Sequence, residues 1–264
     1  DRDSVASLIK SAKINVVIPG IGISHLIKDG LNLFCGIHTG FSPPGPGIDD
    51  EDDVLPEESV NSELGLRYNN GLNSFEFLYF YNDYKNLLGE DTESTGSGTY
   101  AQFNGGKVLI KGIEFSLNKM YVMQNVVFPI SMSYTYTDAR FFNSFDSEFG
   151  PWGDVSVNDE LPYIPKNMFH LRLGFELNKL KLYSRFKHVA NIRTVAGQGA
   201  IDPLHSTDQI NIVDLVLKYR ISQNFMFESK ILNLFNDKSI VASRPAGVRP
   251  NMPRNINFSF LFDF

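Results

Sequence analysis

Apolar and polar residues alternate one by one along most of this chain. From Val126 to Thr137 the set Val126, Phe128, Ile130, Met132, Tyr134 and Tyr136 lies opposite Ser131, Ser133, Thr135 and Thr137. Phe75, Phe77, Tyr79 and Tyr81 lie opposite Ser74, Glu76 and Asn82, and Phe169, Leu171, Leu173, Phe175 and Leu177 lie opposite His170, Arg172, Gly174 and Glu176. A period of two is the mark of a β-strand with two unlike faces. The same alternation predicts strands over about 60–68, 112–118, 180–187, 213–219 and 225–231, with two earlier ones near 16–27 and 31–39. The last strand places Phe258, Phe260, Phe262 and Phe264 on one face and ends the chain there. About eleven strands are expected, many long enough for the roughly 9–11 residues of a tilted membrane span.

The connections are sorted by length. Short turns are expected at Lys28-Asp29-Gly30, Asn69-Asn70-Gly71, near Tyr121, at Asn178-Lys179 and at Ile221-Ser222. Asp-Gly and Asn-Gly are favoured hairpin residues. Longer connections, at about 40–57, 85–104, 140–166, 191–208 and 235–253, fall between them and hold most of the Gly, Pro, Asp and Asn. Short turns on one side and long loops on the other are the rhythm of a transmembrane β-barrel. A soluble β-sandwich, the alternative, has no physical reason to sort its loops in this way. The fold class expected is therefore all-β, an antiparallel transmembrane barrel with its long loops outside and its last strand ending at the periplasmic side. Complete bacterial barrels have an even number of strands, and the chain begins at Asp1 without a Met or a signal peptide. The expectation is a part of a larger barrel, since Ser4 to Lys10 alternates poorly as a twelfth strand.

Composition agrees. Aromatics make up 13% of the 264 residues, with 22 Phe and 11 Tyr against one Trp, which suits lipid-facing surfaces and interfacial girdles. Mean hydropathy is −0.15, and no apolar run approaches the length of a spanning helix. The net charge of −6 argues against nucleic-acid binding. Cys35 is the only cysteine, so an intrachain disulfide is excluded, and its apolar setting reads as a buried, inert thiol.

Few residues suggest chemistry. His205-Ser206-Thr207-Asp208 contains the residue types of a hydrolase, but a triad is built by spatial convergence rather than by adjacency. The five histidines lack metal-ligand spacing, and His38 and His170 fall on the polar face as hydrogen-bonding residues. No enzyme activity, metal site or covalently bound cofactor is expected. Asp49-Asp50-Glu51-Asp52-Asp53 reads as a solvated charge run, with divalent-cation binding beside lipopolysaccharide as its functional counterpart. Phe149-Gly150-Pro151-Trp152-Gly153 is an aromatic loop tip, either a ligand contact or a packed loop. The polar face carries both signs of charge: Glu63, Arg67, Glu76, Glu114, Arg172, Glu176, Arg185, Lys187, Asp214, Lys218, Glu228 and Lys230. Cross-strand ion pairs along the lumen wall are expected of them.

Three segments resemble the C-terminal half of TonB-dependent outer-membrane transporters: Pro56-Glu57-Glu58 leading into Glu63-Leu64-Gly65-Leu66, Asn233-Leu234-Phe235-Asn236-Asp237-Lys238, and Gly247 to Phe264, in which Pro253-Arg254 opens the last strand. The resemblance implies that 1–264 is the second half of a 22-stranded barrel whose plug lies elsewhere. It implies uptake of a ferric chelate, energised by the TonB-ExbB-ExbD complex, in a Gram-negative outer membrane. It also implies that Phe258, Phe260, Phe262 and Phe264 form the signal read by the barrel-assembly machinery. Gly36 to Gly47 and Ser243 to Pro250 further resemble members that carry ferric dicitrate, a loop likeness that leaves haem, other siderophores, cobalamin and oligosaccharides open as ligands. A citrate chelate is anionic, and arginine meets a carboxylate with two hydrogen bonds. Arg193, Arg244 and Arg249, with Gln198 as a neutral donor, are the expected ligand contacts at the mouth. Pairing of these arginines with loop acids or lipopolysaccharide phosphate is the structural counterpart. A passive porin and a soluble β-sandwich binding module are the rival readings.

Overall fold

The computed structural model describes residues 15–45, 54–90, 102–147, 151–243 and 247–262. Within them eleven strands pair in chain order into one antiparallel sheet: β1 (Gly20–Lys28), β2 (Leu31–Ser42), β3 (Glu57–Asn69), β4 (Asn73–Lys85), β5 (Val108–Met123), β6 (Val126–Phe141), β7 (Asn167–Leu177), β8 (Leu180–Val189), β9 (Ile210–Arg220), β10 (Phe225–Leu232) and β11 (Asn255–Phe262). Among the described residues β1 and β11 each have a single neighbour in this sheet. The strand number and the alternation of short turns with long loops follow the sequence pattern. One turn differs: between β5 and β6 it falls at Gln124-Asn125, with Gln124 at φ +51, a few residues beyond the expected Tyr121. Tyr121 stays in the ladder opposite Phe128. The long loops also contain structure of their own, in three short hairpins: Leu88–Glu90 with Gln102–Asn104, Phe145–Asp146 with Asp154–Val155, and Ile240–Ala242 with Arg249–Pro250.

The register aligns the apolar sets. Leu66, Phe77, Phe115, Tyr134 and Phe169 run as one row across five strands. Among the described residues nothing packs on this face below its loop end, and Ile21, Phe258 and Phe260 are each about two-thirds exposed. On the opposite face Ser59, Tyr183, Val216 and Glu228 are buried. In a single-layer sheet the crowded face is the concave one. The sheet is thus curled toward its polar face and bares its apolar one, the reverse of a soluble protein and the arrangement of a barrel in lipid. Cys35 lies on the bare face and is exposed. The expected burial is corrected there, because no second layer covers an apolar position on this sheet.

The polarity of the two faces inverts near the long-loop end. β5 and β6 are 16 residues each, well beyond the about 9–11 residues of a tilted span. Past the row of Tyr79, Ile113 and Tyr136 the bare face turns charged, with Asp83, Lys85, Lys111, Asp138 and Arg140. Asp138 there accepts from Arg140 Nε at 2.8 Å and faces Lys111 at 3.9 Å, while Asp83 pairs with Lys107 at 3.1 Å. On the same stretch the concave face turns apolar, with Tyr84, Val108, Ile110, Ala139 and Phe141. The inversion marks where the strands leave lipid and begin to carry a water-exposed superstructure.

On the concave face, three aromatic rings lie over glycines of the neighbouring strand. Phe34 is the cross-strand partner of Gly65, Phe80 of Gly112 and Tyr183 of Gly174. A Cβ at Gly174 would come within 2.9 Å of Tyr183 Cδ1, one at Gly112 within 2.6 Å of Phe80 Cζ, and one at Gly65 would run into the Phe34 ring. The glycines let bulky rings lie flat against the wall. Arg67 and Arg172 then sit over two of these rings, Phe34 at 4.9 Å and Tyr183 at 4.4 Å.

Candidate functional site

The long loops gather into one packed mouth. Val108, Ala139 and Phe141 from the projecting strands form its core with Trp152, Val155 and Leu161 of loop 142–166, and Phe103 and Ala196 from two further loops pack against them. Trp152 meets Phe103, Phe141 and Phe145 edge-on, at 5.0, 5.3 and 5.8 Å between ring centroids. Its indole also fills the space above Gly105, where any side chain would collide with it. Trp152 is 9% exposed, so the tryptophan of the aromatic tip is a packed residue. Phe149 and Gly150 lie outside the described residues.

A charged cluster sits beside this core. Glu160 bridges to Arg140 and to Gly197 through its backbone. Its carboxylate receives Lys166 Nζ at 2.6 Å and Arg140 at 3.4 Å on Oε1, and Arg193 Nε at 3.5 Å on Oε2. The last is an ion pair too long for a hydrogen bond, and Arg193 Nε has no hydrogen-bond partner. Arg193 is buried and donates from its terminal nitrogen to the Gly199 carbonyl at 2.9 Å. Gln198 donates to Val157 O and Asp159 Oδ1, both at 3.0 Å. Two of the four expected mouth contacts, both on loop 190–209, are thus engaged by acids and carbonyls of loop 142–166 and of their own loop. Arg249 stands apart from them, exposed on the hairpin of loop 233–254. Arg244 and the acidic run 49–53 lie outside the described residues. Tyr163 Oη and Ser243 Oγ, 2.8 Å apart, tie that last loop to the mouth, as do the Asp208 amide on Ile240 O and the Ile240 amide on Asp208 Oδ2.

The Asn-Leu-Phe-Asn-Asp-Lys segment is a knot at the head of β10. Asn233, at φ +53 and 3% exposed, ends the strand. Its side chain donates to Asp237 O at 2.8 Å and Met252 O at 2.9 Å, and accepts from Asp237 N at 2.8 Å. Asp237 in turn accepts from Ser239 Oγ, from Ser239 N at 2.8 Å and from Asn251 Nδ2 at 3.0 Å. The Ser239 hydroxyl, then its amide and Asn251, hold the Asp237 carboxyl below the usual carboxylate range. Arg254 closes the knot, its amide on Asn236 Oδ1 at 3.0 Å and its guanidinium on Leu234 O at 3.3 Å. These asparagines and Arg254 tie the two ends of the loop together.

Many of the charges on the concave wall pair among themselves. Glu228 receives Lys218 at 2.8 Å and Lys230 at 2.6 Å. Glu176 receives Lys181 at 2.7 Å and the Tyr183 hydroxyl at 2.5 Å. Arg67 and Glu76 pair directly across β3 and β4. His205 to Asp208 serve turns: Ser206 Oγ donates to Pro203 O, Thr207 Oγ1 accepts from Ile192 N, and Asp208 holds the Ile240 amide. They do not converge on one point, and among the described residues no cluster of His, Cys, Asp or Glu could hold a metal ion.

This architecture has known counterparts. A family model described as "TonB dependent receptor-like, beta-barrel" matches residues 2–236. The catecholate siderophore receptor Fiu of Escherichia coli (strain K12) is 23% identical over 246 residues, which cover 87% of this chain and 30% of that protein. Its counterpart from strain UTI89 is 22% identical over 244 residues with the same coverage. Among solved structures, the ferric-catecholate import receptor Fiu from K12 E. coli superposes with a TM-score of 0.71 at 20% identity, over 93% of this chain and 34% of that one. The ferric yersiniabactin uptake receptor FyuA from Yersinia pestis gives 0.68 at 15%, over 93% and 37%. At such identities the superpositions show the fold alone. This chain spans about a third of the length of the proteins it matches. Sequence and fold agree on a receptor barrel of the Gram-negative outer membrane rather than an enzyme, and the chain belongs to the TonB-dependent receptor-like β-barrel family.

Proposed function

We propose that residues 1–264 form the C-terminal part of the barrel of an active importer of a ferric chelate. The plug and the other strands would come from the remainder of the protein, and TonB-ExbB-ExbD would supply the energy through that plug. No chemical bond is made or broken in this reading. A chelate binds at the mouth, the plug rearranges, and the chelate leaves on the periplasmic side. The observation that carries the reading is the match to the receptor-barrel family over 2–236. The ordered mouth above a charged wall supports it. The final-strand phenylalanines would be read by the barrel-assembly machinery, and the outer charges would face lipopolysaccharide.

Two chelate classes compete. Ferric citrate is favoured by the resemblance of Gly36 to Gly47 and Ser243 to Pro250 to dicitrate-carrying members. A ferric catecholate is favoured by the curated relatives, which are named catecholate siderophore receptors. For ferric citrate, Arg249 and Arg244 would contact the chelate, with Arg193 and Gln198 holding the loop that frames it. The test is radio-iron uptake by cells carrying the full-length protein, with and without TonB, supplied as ferric citrate or as a ferric tris-catecholate. TonB-dependent uptake of one of them supports the proposal and selects the class. Uptake that persists without TonB would point to a passive channel, and no uptake of any ferric chelate would overturn the reading.

A further inference from the structure

The concave wall is polar in successive rows, with one apolar row among them. Toward the loops, Asn118, Ser131, Arg172, Arg185 and Asp214 align across β5 to β9. Toward the turns, Glu176, Lys181 and Lys218 align across β7 to β9. Between these rows Met120 faces Pro129, and Gly174 faces Tyr183, which in turn faces Val216. A Cβ on Gly174 would come within 2.5 Å of Pro129 Cγ and 2.9 Å of Tyr183 Cδ1, so its bare backbone joins the two halves into one apolar strip. At the β5–β6 end the strip widens by a further pair, Val122 opposite Val127. Met120 is 43% exposed there and Val122 61%. Pro129 stands in an interior strand, where proline is rare because it has no N–H for the ladder. The β6–β7 ladder accordingly breaks between Leu173 and Glu176. A contiguous apolar patch rimmed by polar residues marks an interaction surface.

We propose that Met120, Val122, Val127 and Pro129 are a fixed seat for an apolar segment of the plug, and that this segment stays on the wall while the rest of the plug rearranges. The inference rests on the importer reading and adds to it the point about which the plug moves. Three observations select the occupant. Lipid meets the other face, since the register turns Tyr121 and Met123 outward and Met120 and Val122 inward. A ferric chelate presents charge or polar groups, and these four side chains have none to meet them. This chain spans 30% of the length of the Fiu receptor of E. coli K12, which leaves a large further part of the protein to fill the lumen. The strip lies about 13 Å along the strands from the turns at Gln124-Asn125 and Asn178-Lys179, in the periplasmic half of the wall. The charges nearby are engaged within the wall itself: Glu176 holds Lys181, and Glu228 holds Lys218 and Lys230. A plug surface passes over such satisfied charges through water without breaking an ion pair. Lifting an apolar segment off the seat instead exposes apolar area on both sides, which is unfavourable. The seat therefore resists motion where the charged rows allow it.

The test uses the full-length protein in cells, with the photo-crosslinking residue p-benzoylphenylalanine at position 122. Light should join it to a plug peptide of the same molecule, with equal yield in resting cells and in TonB-competent cells taking up a ferric chelate. Capture of a different protein, or no capture of the plug, would overturn the seat. A yield that falls during uptake would overturn its fixedness, because the contact would then belong to the moving part. A second measurement is the steady conductance of the purified full-length protein in planar bilayers. M120D/V122D places two carboxylates against an apolar partner and should raise conductance by roughly 10- to 100-fold as the plug unseats. S133D, which puts a carboxylate on the same wall two rows toward the loops, should conduct nearly as the wild type does. Wild-type conductance in M120D/V122D would count against the seat, and the crosslink decides the matter if that variant does not assemble. Failure of the wild type to take up any ferric chelate would sink the importer reading, while the crosslink in resting cells would still decide whether the plug sits there.

Discussion

Trp152→Ala tests whether the mouth is one folded unit. Trp152 is 9% exposed and touches rings from the projecting strand β6, from its own loop and, through Phe103, from loop 86–107. Ala196, on a third loop, packs on the same core. Truncating a buried tryptophan costs about 3–5 kcal/mol, a range that already contains its three ring contacts. At about 1.4 kcal/mol per factor of ten, local opening of the mouth should become about 100- to 4000-fold more frequent. The membrane-embedded ladder should be largely untouched, because the ring partners of Trp152, which are Phe103, Phe141 and Phe145, all lie at the loop end of the sheet. Hydrogen exchange of the full-length protein in detergent reads both regions at once. Amides of loops 86–107, 142–166 and 190–209 should lose protection together, and those of β7 to β10 should keep it. If only loop 142–166 loosened, the three loops would be independent and the packing argument would be wrong.

Phe260→Arg places a charge within the outward set Ile256, Phe258, Phe260 and Phe262 and should cost about 2–4 kcal/mol if that position sits near the bilayer midplane; a normal amount of folded protein at the cell surface would refute the lipid assignment. Asn233→Ala removes three hydrogen bonds from a buried amide, for about 1–3 kcal/mol, and should release protection across 233–254; unchanged exchange there would deny the knot its role. Asp237 has a carboxyl held below its ordinary 3.8 in the folded state. Its contribution should be complete above that value and should fade as pH falls through the lower folded one. Loop 233–254 should therefore become protease-sensitive in acid, and Asp237→Asn should remove most of that pH dependence.

Much of this was legible in the sequence because a barrel wall has only one side-chain period to obey. The strands over 60–68, 126–137 and 169–177 lie inside β3, β6 and β7, since most of their positions alternate, with Ser62 as an exception. Their outer ends were invisible for the same reason: above Tyr136 the faces exchange character, so Asp138 and Arg140 sit where the pattern calls for apolar residues. The mouth was illegible because its packing is tertiary. Nothing local to Trp152 says that Phe103, some fifty residues away, supplies its partner. Arg193 and Gln198 were chosen for chemistry that suits a carboxylate, and the structure gives them Glu160 and Asp159 as neighbours. Cys35 was misjudged by applying a soluble rule, apolar means covered, to a sheet one layer thick.

The aromatic rings seated on glycines have a consequence for how the sheet chooses its pairing. A tight turn sets the alignment of the two strands it joins, but a long loop leaves alignment open. Phe34 on Gly65 links β2 to β3, and Phe80 on Gly112 links β4 to β5. Both pairs are joined by the long loops 43–56 and 86–107. If β2 slid by two residues, the faces would be preserved, so hydrophobicity alone would not object, yet Phe34 would meet the side chain of Glu63 or Arg67 instead of a bare backbone. Each ring and its glycine thus act as a key and notch that reject the slips which leave the lipid face intact, at the places where no turn does so.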